Sequence, residues 1–127
     1  MSGHVADGAE ILGRIAERRG SVLGVHPLMA ELDPDFLDLF DEMYVHTLGY
    51  KPIDEGSIPA MYRELICACA CAIVAAPEST IARHLRRAYE LGLTEQQAIE
   101  GFHSLLIPVG GLPIAAALRA MIALRTS

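Results

Sequence analysis

The chain has 127 residues, 52% of them hydrophobic and 20% charged, which excludes a disordered segment and fits a single domain spanning 1–127. Sixteen acidic side chains against ten basic ones leave a net charge of −6, so a general basic surface for nucleic acid or anionic lipid is not expected. A small-molecule substrate and other protein subunits remain as the expected partners, with no nucleic acid and no membrane.

The opening Met-Ser-Gly-His-Val-Ala-Asp has no basic stretch followed by an apolar run, so no signal peptide is read. The longest apolar run, Leu65 to Ala76, is twelve residues. A spanning helix needs about 20, which makes this a buried helix. Cys67, Cys69 and Cys71 crowd into one short segment, unlike a secreted disulfide framework, and a reducing cytoplasm is expected.

The elements all read as helical, about six of them, because alanine and leucine dominate and alternating β-branched runs are missing. From about Val5 to Arg19, Ile11, Leu12 and Ile15 form a stripe that Gly20 stops. Asp33-Pro34 opens the next helix. There Phe36, Leu37, Phe40, Met43, Tyr44 and Thr47 recur at three and four, Asp35, Asp38, Asp41 and Glu42 point outward, and Gly49 ends the helix. Tyr50 to Pro59 reads as a loop. A central helix runs from about Ser57 or Pro59 to Ala75, and its apolar second half implies neighbours all round.

Pro77 breaks that helix and begins another, with Ile81, Leu85, Ala88 and Leu91 inward and Arg83, Arg86, Arg87 and Glu90 outward. Gly92 fits the position after its end. Thr94-Glu-Gln-Gln97 is a capping box for a helix reaching about Ile107. Pro108 and Gly110-Gly111-Leu112-Pro113 break the chain before a last alanine-rich helix to about Leu124.

Several side chains carry possible chemistry. Cys67 and Cys71 share a helix face and Cys69 points away, so the three cannot meet one metal from one helix and read as core packing. His84 sits on the inner edge of an apolar stripe, as a core or interface histidine or as a general acid or base. Glu64 shares the face of Cys67, Ala68 and Cys71, where a carboxylate needs a partner. That partner is Arg63, Arg83 or a neighbouring subunit, or else Glu64 orients His84. Tyr44, His46, Tyr50 and Tyr62 gather near one loop, as core or as the lining of a pocket. His103 is expected to be exposed. Gly110-Gly111-Leu112-Pro113 lacks the Gly-Lys-Ser/Thr ending of a phosphate loop.

Arg63-Glu64-Leu65-Ile66, an apolar helix of small residues, and His84-Leu-Arg-Arg-Ala88-Tyr-Glu-Leu-Gly92-Leu-Thr94-Glu-Gln-Gln-Ala98-Ile follow in an order that resembles the carboxymuconolactone decarboxylase family. Leu32-Asp-Pro-Asp-Phe36 and Gly111-Leu-Pro113 add to the likeness, which spans about Val22 to Met121. The family sits in the superfamily of the AhpD alkylhydroperoxidases. The resemblance implies an all-α, AhpD-like subunit of a trimer or hexamer, and a mean hydropathy of +0.33 suits an apolar interface.

The peroxidase branch carries a Cys-x-x-Cys pair where this chain has Pro77 and Thr80, so the resemblance implies no disulfide chemistry here. The decarboxylase branch implies a cofactor-free enzyme acting on a small carboxy-lactone or related organic acid, with no metal. His84 would deliver the proton and Glu64 would orient it or relay. Arg63 or Arg83 would hold a substrate carboxylate, with Tyr44, His46 and Tyr62 as further substrate-binding residues. Glu64 and His84 lie one position further apart than is usual in the family, which leaves their meeting to the structure. Leu105 and Val109 stand where relatives carry Tyr or His, implying a bulkier or less charged substrate. The alternative is a non-catalytic helical assembly or small-molecule-binding protein.

Overall fold

A computed structural model describes residues 6–20, 22–48 and 57–127. These are helical, with no strand among the described residues, and they fall into two compact units, 1–53 and 54–127. Eight helices are present among the described residues. Val5, Gly49, Tyr50 and the first part of the expected loop lie outside them.

The first unit holds α1 (Gly8–Arg19), α2 (His26–Leu32) and α3 (Pro34–Leu48). Asp7 caps α1 by accepting from the Ala9 N–H, and Gly20, at φ 80°, takes the left-handed turn that ends it. Ile11 and Ile15 of α1 close on Leu37 of α3, flanked by Leu12, Met29 and Ala30. Leu37, Asp41, Val45 and Leu48 form the buried face of α3, whereas Phe36 and Met43 are exposed. The expected stripe is therefore rotated. An acidic residue on a helix reads as solvated, yet Asp41 is fully buried because α1 brings Arg14 and Arg18 to 3.4 Å of its carboxylate and Arg19 to 4.0 Å. α2 carries no side-chain cap, and its seven residues left no amphipathic signal to read.

The second unit holds α4 (Ala60–Ile73), α5 (Glu78–Glu90), α6 (Glu95–His103), α7 (Leu106–Val109) and α8 (Gly111–Arg125). α5 packs against α4 and α8, and α6 against α8 and α4. Ala68, Ala72, Ala88, Ala98, Ala117 and Ala120 are all buried, and these short side chains let the helices approach around Ile81, Leu85 and Phe102. The capping box forms as read: Thr94 accepts from the Gln97 N–H and the Gln97 side chain accepts from the Thr94 N–H, both at 3.0 Å.

Two expectations change here. The Thr94 helix stops at His103, and Leu106–Val109 makes a separate short turn that tolerates Pro108 at its third position, where no helical N–H partner is needed. α4 is not surrounded: Ala68 and Ala72 are buried, while Ile66, Ile73 and Val74 are exposed on its other side. Between α4 and α5 the chain turns through Ala75 at φ 56°, with the Ala76 N–H donating to the Cys71 carbonyl at 2.9 Å. That tight reversal lays α5 back along α4 and sets which residues face each other.

Candidate functional site

α4 and α5 build the site. Glu64 lies one turn into α4 on the same buried face as Ala68 and Ala72, and it is fully buried. On α5 the stripe Ile81, Leu85 and Ala88 faces the core, and His84 flanks it with 11% of its side chain exposed. Across the helix pair, His84 Nδ1 lies 2.8 Å from Glu64 Oε2. The 20-position interval thus brings the two side chains together.

A carboxylate only accepts hydrogen bonds, so Nδ1 carries the hydrogen and donates it. That arrangement sets the ring's tautomer and orientation and leaves Nε2 as the nitrogen open to a ligand. Among the described residues Nε2 has no hydrogen-bond partner, and it is not sealed from solvent. A buried carboxyl group, a ring held by it and an accessible second nitrogen are the parts that a proton transfer would need.

The remaining expected site residues are placed as follows. Arg63 is partly buried and its Nε donates to the Ile58 carbonyl at 3.0 Å. Arg83 is exposed on α5, next to His84. The Tyr62 hydroxyl accepts from Gln97 Nε2 at 3.5 Å, tying α4 to α6, and the ring packs on the core. Tyr44 and His46 belong to the first unit. The Arg19 guanidinium sits 3.8 Å over the Tyr44 ring, and His46 and His103 are exposed. Tyr50 lies outside the described residues.

The cysteines divide. Cys69 and Cys71 pack on the core, as expected for small apolar residues, while Cys67 lies beside Glu64. Burial first, then the Glu64 and Cys71 charges, push the Cys67 thiol up to about 11. Burial also pushes Cys69 and Cys71 up. All three are free and hold their protons at neutral pH, which disfavours thiolate chemistry. Pro77 caps α5 and Thr80 follows in its first turn, so the two positions before His84 supply no thiols. Among the described residues no three His, Cys, Asp or Glu side chains are grouped so as to hold a metal ion. No helix among them is long and apolar enough to cross a membrane.

Sequence reasoning missed the second buried carboxylate, Asp41. Its signal was present on another helix: Arg14 and Arg18, four apart on α1, form a basic edge that needs an acidic partner.

A family model, described as the Carboxymuconolactone decarboxylase family, matches residues 34–123. Comparison with curated proteins and with solved structures gave no match.

Proposed function

The chain belongs to the carboxymuconolactone decarboxylase family, and on that premise we propose that it is an enzyme moving a proton on a small carboxy-lactone or related organic acid. The observation that carries this reading is the 2.8 Å bond between His84 Nδ1 and the fully buried Glu64. For a carboxy-lactone, the bond to the carboxylate carbon breaks, carbon dioxide leaves and the electron pair passes into the conjugated lactone carbonyl. His84 then delivers a proton from Nε2 to carbon, and water restores it. Glu64 stabilises the positive charge on the imidazole while that proton is held. An arginine holds a substrate carboxylate, and Arg83 is the more available of the two expected. The chemistry needs no organic cofactor.

The working form is a homo-oligomer in a reducing cytoplasm. Supporting this are three free cysteines and the exposure of Ile107 (93%) and Leu112 (87%), apolar side chains that a neighbouring copy would cover. The test is carbon dioxide release from carboxymuconolactone and related carboxy-lactones by wild type and His84→Gln. We expect release that falls by about 10²–10⁴-fold in the variant while the helical content is kept. Release that is unaffected by His84→Gln, or none from the assembled wild type, contradicts the reading.

A further inference from the structure

α3 buries one face and leaves a second apolar face open. Leu37, Asp41, Val45 and Leu48 are buried, whereas Phe36, Leu39 and Met43 are 51%, 66% and 65% exposed. Phe36, Leu39, Met43 and the exposed His46 follow one another at three, four and three positions. That is the two-in-seven spacing with which one helix seats along another. Beside this seam the Phe40 ring lies 6.0 Å from Phe36 and 6.2 Å from Tyr44, which gives it a stiff aromatic edge. On α2, the helix just before, Leu28 and Leu32 are exposed and four apart, so they share a face.

The extent of this surface matches what a second copy needs. From their exposures, Phe36, Leu39, Met43, Leu28 and Leu32 present about 600 Å² of apolar surface, the top of the range for the largest patch of a monomer. Two such surfaces face to face would cover about 1,200 Å², the lower bound for a specific interface.

The charges beside the seam also favour a copy of the chain over a basic peptide. Asp38 pairs with Arg14, and Glu42 with Arg18 at 3.2 Å. Asp35 accepts from the Ala6 N–H at 3.1 Å, and Asp33 from the Phe36 N–H at 3.2 Å. The middle of the seam therefore offers a cationic ligand no unengaged carboxylate, and it does not repel its own kind.

The order of residues is self-complementary when α3 is laid antiparallel on itself. With the two-fold axis beside Leu39 and Phe40, Phe36 comes opposite Met43 of the second copy, an aromatic–thioether contact. Leu39 meets Leu39 and Phe40 of the second copy, and His46 comes opposite its Asp33. A parallel pairing would set Met43 on Met43 and His46 on His46, losing both complementary contacts.

We propose that α3 is a two-fold interface, seated antiparallel on α3 of a second copy of this chain through Phe36, Leu39 and Met43. Such a contact sets an even number of copies in the assembly. It goes beyond the homo-oligomer reading by naming a surface in the first unit. It depends neither on the His84 chemistry nor on what covers Ile107 and Leu112.

The test is sedimentation equilibrium and disulfide trapping on the full chain. Leu39→Glu would bury a carboxylate on each side of the axis. It should halve the mass of the assembly and weaken the contact by about 100-fold or more. Helical content should be kept, because Leu39 is exposed. Leu39→Cys should link to its like in a second copy under mild oxidation, well above the background from Cys67, Cys69 and Cys71. His46→Cys, about 20 Å from its like in this pairing, should not link to itself but should link to Asp33→Cys when the two variants are mixed.

A wild-type chain that is monomeric at about 100 μM overturns the contact, as does an unchanged mass in Leu39→Glu. In the second case a lower urea midpoint would show that the chain covers this face itself. Loss of binding to phosphatidylcholine vesicles would show that lipid covers it. Self-linking of His46→Cys overturns the antiparallel seating. Absence of a Leu39→Cys disulfide overturns the contact even if Leu39→Glu does not fold. The Leu39→Cys link should form equally in His84→Gln and Ile107→Glu backgrounds, so failure of the proton-transfer reading is distinguishable from failure of this one.

Discussion

Among the described residues each unit buries one carboxylate completely, and the two are held by different chemistry. In the first unit Asp41 lies among Arg14, Arg18 and Arg19, while Asp38 pairs with Arg14 and Glu42 with Arg18. In the second unit Glu64 meets His84 at 2.8 Å. Arginine keeps its proton at any pH a protein survives, so the Asp41 cluster is a fixed electrostatic clamp between α1 and α3. Histidine gives and takes a proton in the physiological range of conditions, and its second nitrogen remains accessible. Two carboxylates of equal burial are thus held by partners of different chemistry. On the proposed function, the cationic partner, rather than the carboxylate, separates a structural ion cluster from a site that acts on a substrate.

The sharpest way to break this comparison is to neutralise each carboxylate in turn. Glu64→Gln replaces an obligate acceptor with an amide that can donate to Nδ1 and so favour the wrong tautomer. We expect lactone turnover to fall by about 10²–10⁴-fold in steady-state assays, with the far-ultraviolet spectrum unchanged. Turnover within about threefold of wild type would mean that Glu64 only fills space. Asp41→Asn should act on stability instead. Removing one partner from a fully buried cluster costs about 3–5 kcal/mol, and because Arg14 and Arg18 both reach water we expect about 2–4 kcal/mol by urea unfolding. No change in the unfolding midpoint would show that the three arginines are satisfied by solvent.

A smaller effect sharpens the picture around Glu64. Burial and the neighbouring Glu64 and Cys71 charges push the Cys67 thiol from 9.0 up to about 11. The folded chain therefore keeps that proton where the unfolded chain has lost it. Stability is complete below about pH 9 and declines as the pH rises toward about 11. Urea midpoints measured at about pH 8 and about pH 10 should fall less in Cys67→Ala than in wild type. Equal falls would show that neither burial nor the Glu64 charge holds the proton on Cys67.

What the sequence made legible was local. Gly20, Gly92 and the Thr94–Gln97 box announce helix ends through neighbours a few positions away, and the chain uses them so. Glu64 and His84 were legible for a related reason: each falls on the apolar face of its own helix, where an ionisable group needs a partner. The misreadings were non-local. Asp41 reads as solvated because the arginines that bury it come from a helix more than twenty positions away. Phe36 and Met43 read as core because apolar spacing does not say which of two adjacent stripes the neighbouring helix covers. The uncovered side of α4, with Ile66 and Ile73, eluded the pattern for the same reason, since an all-apolar helix gives no direction at all. Pro108 misled because a proline near the start of a helix looks like one that ends it.

The central claim is that Glu64 holds the His84 ring with its hydrogen on Nδ1 and leaves Nε2 to work. The most direct measurement is the ¹⁵N NMR spectrum of the His84 imidazole in its neutral form, in wild type and in Glu64→Gln. The account predicts a hydrogen on Nδ1, protected from exchange in wild type, with that protection lost in the variant. A hydrogen on Nε2 in wild type, or a ring whose tautomer and exchange are indifferent to Glu64→Gln, would contradict it.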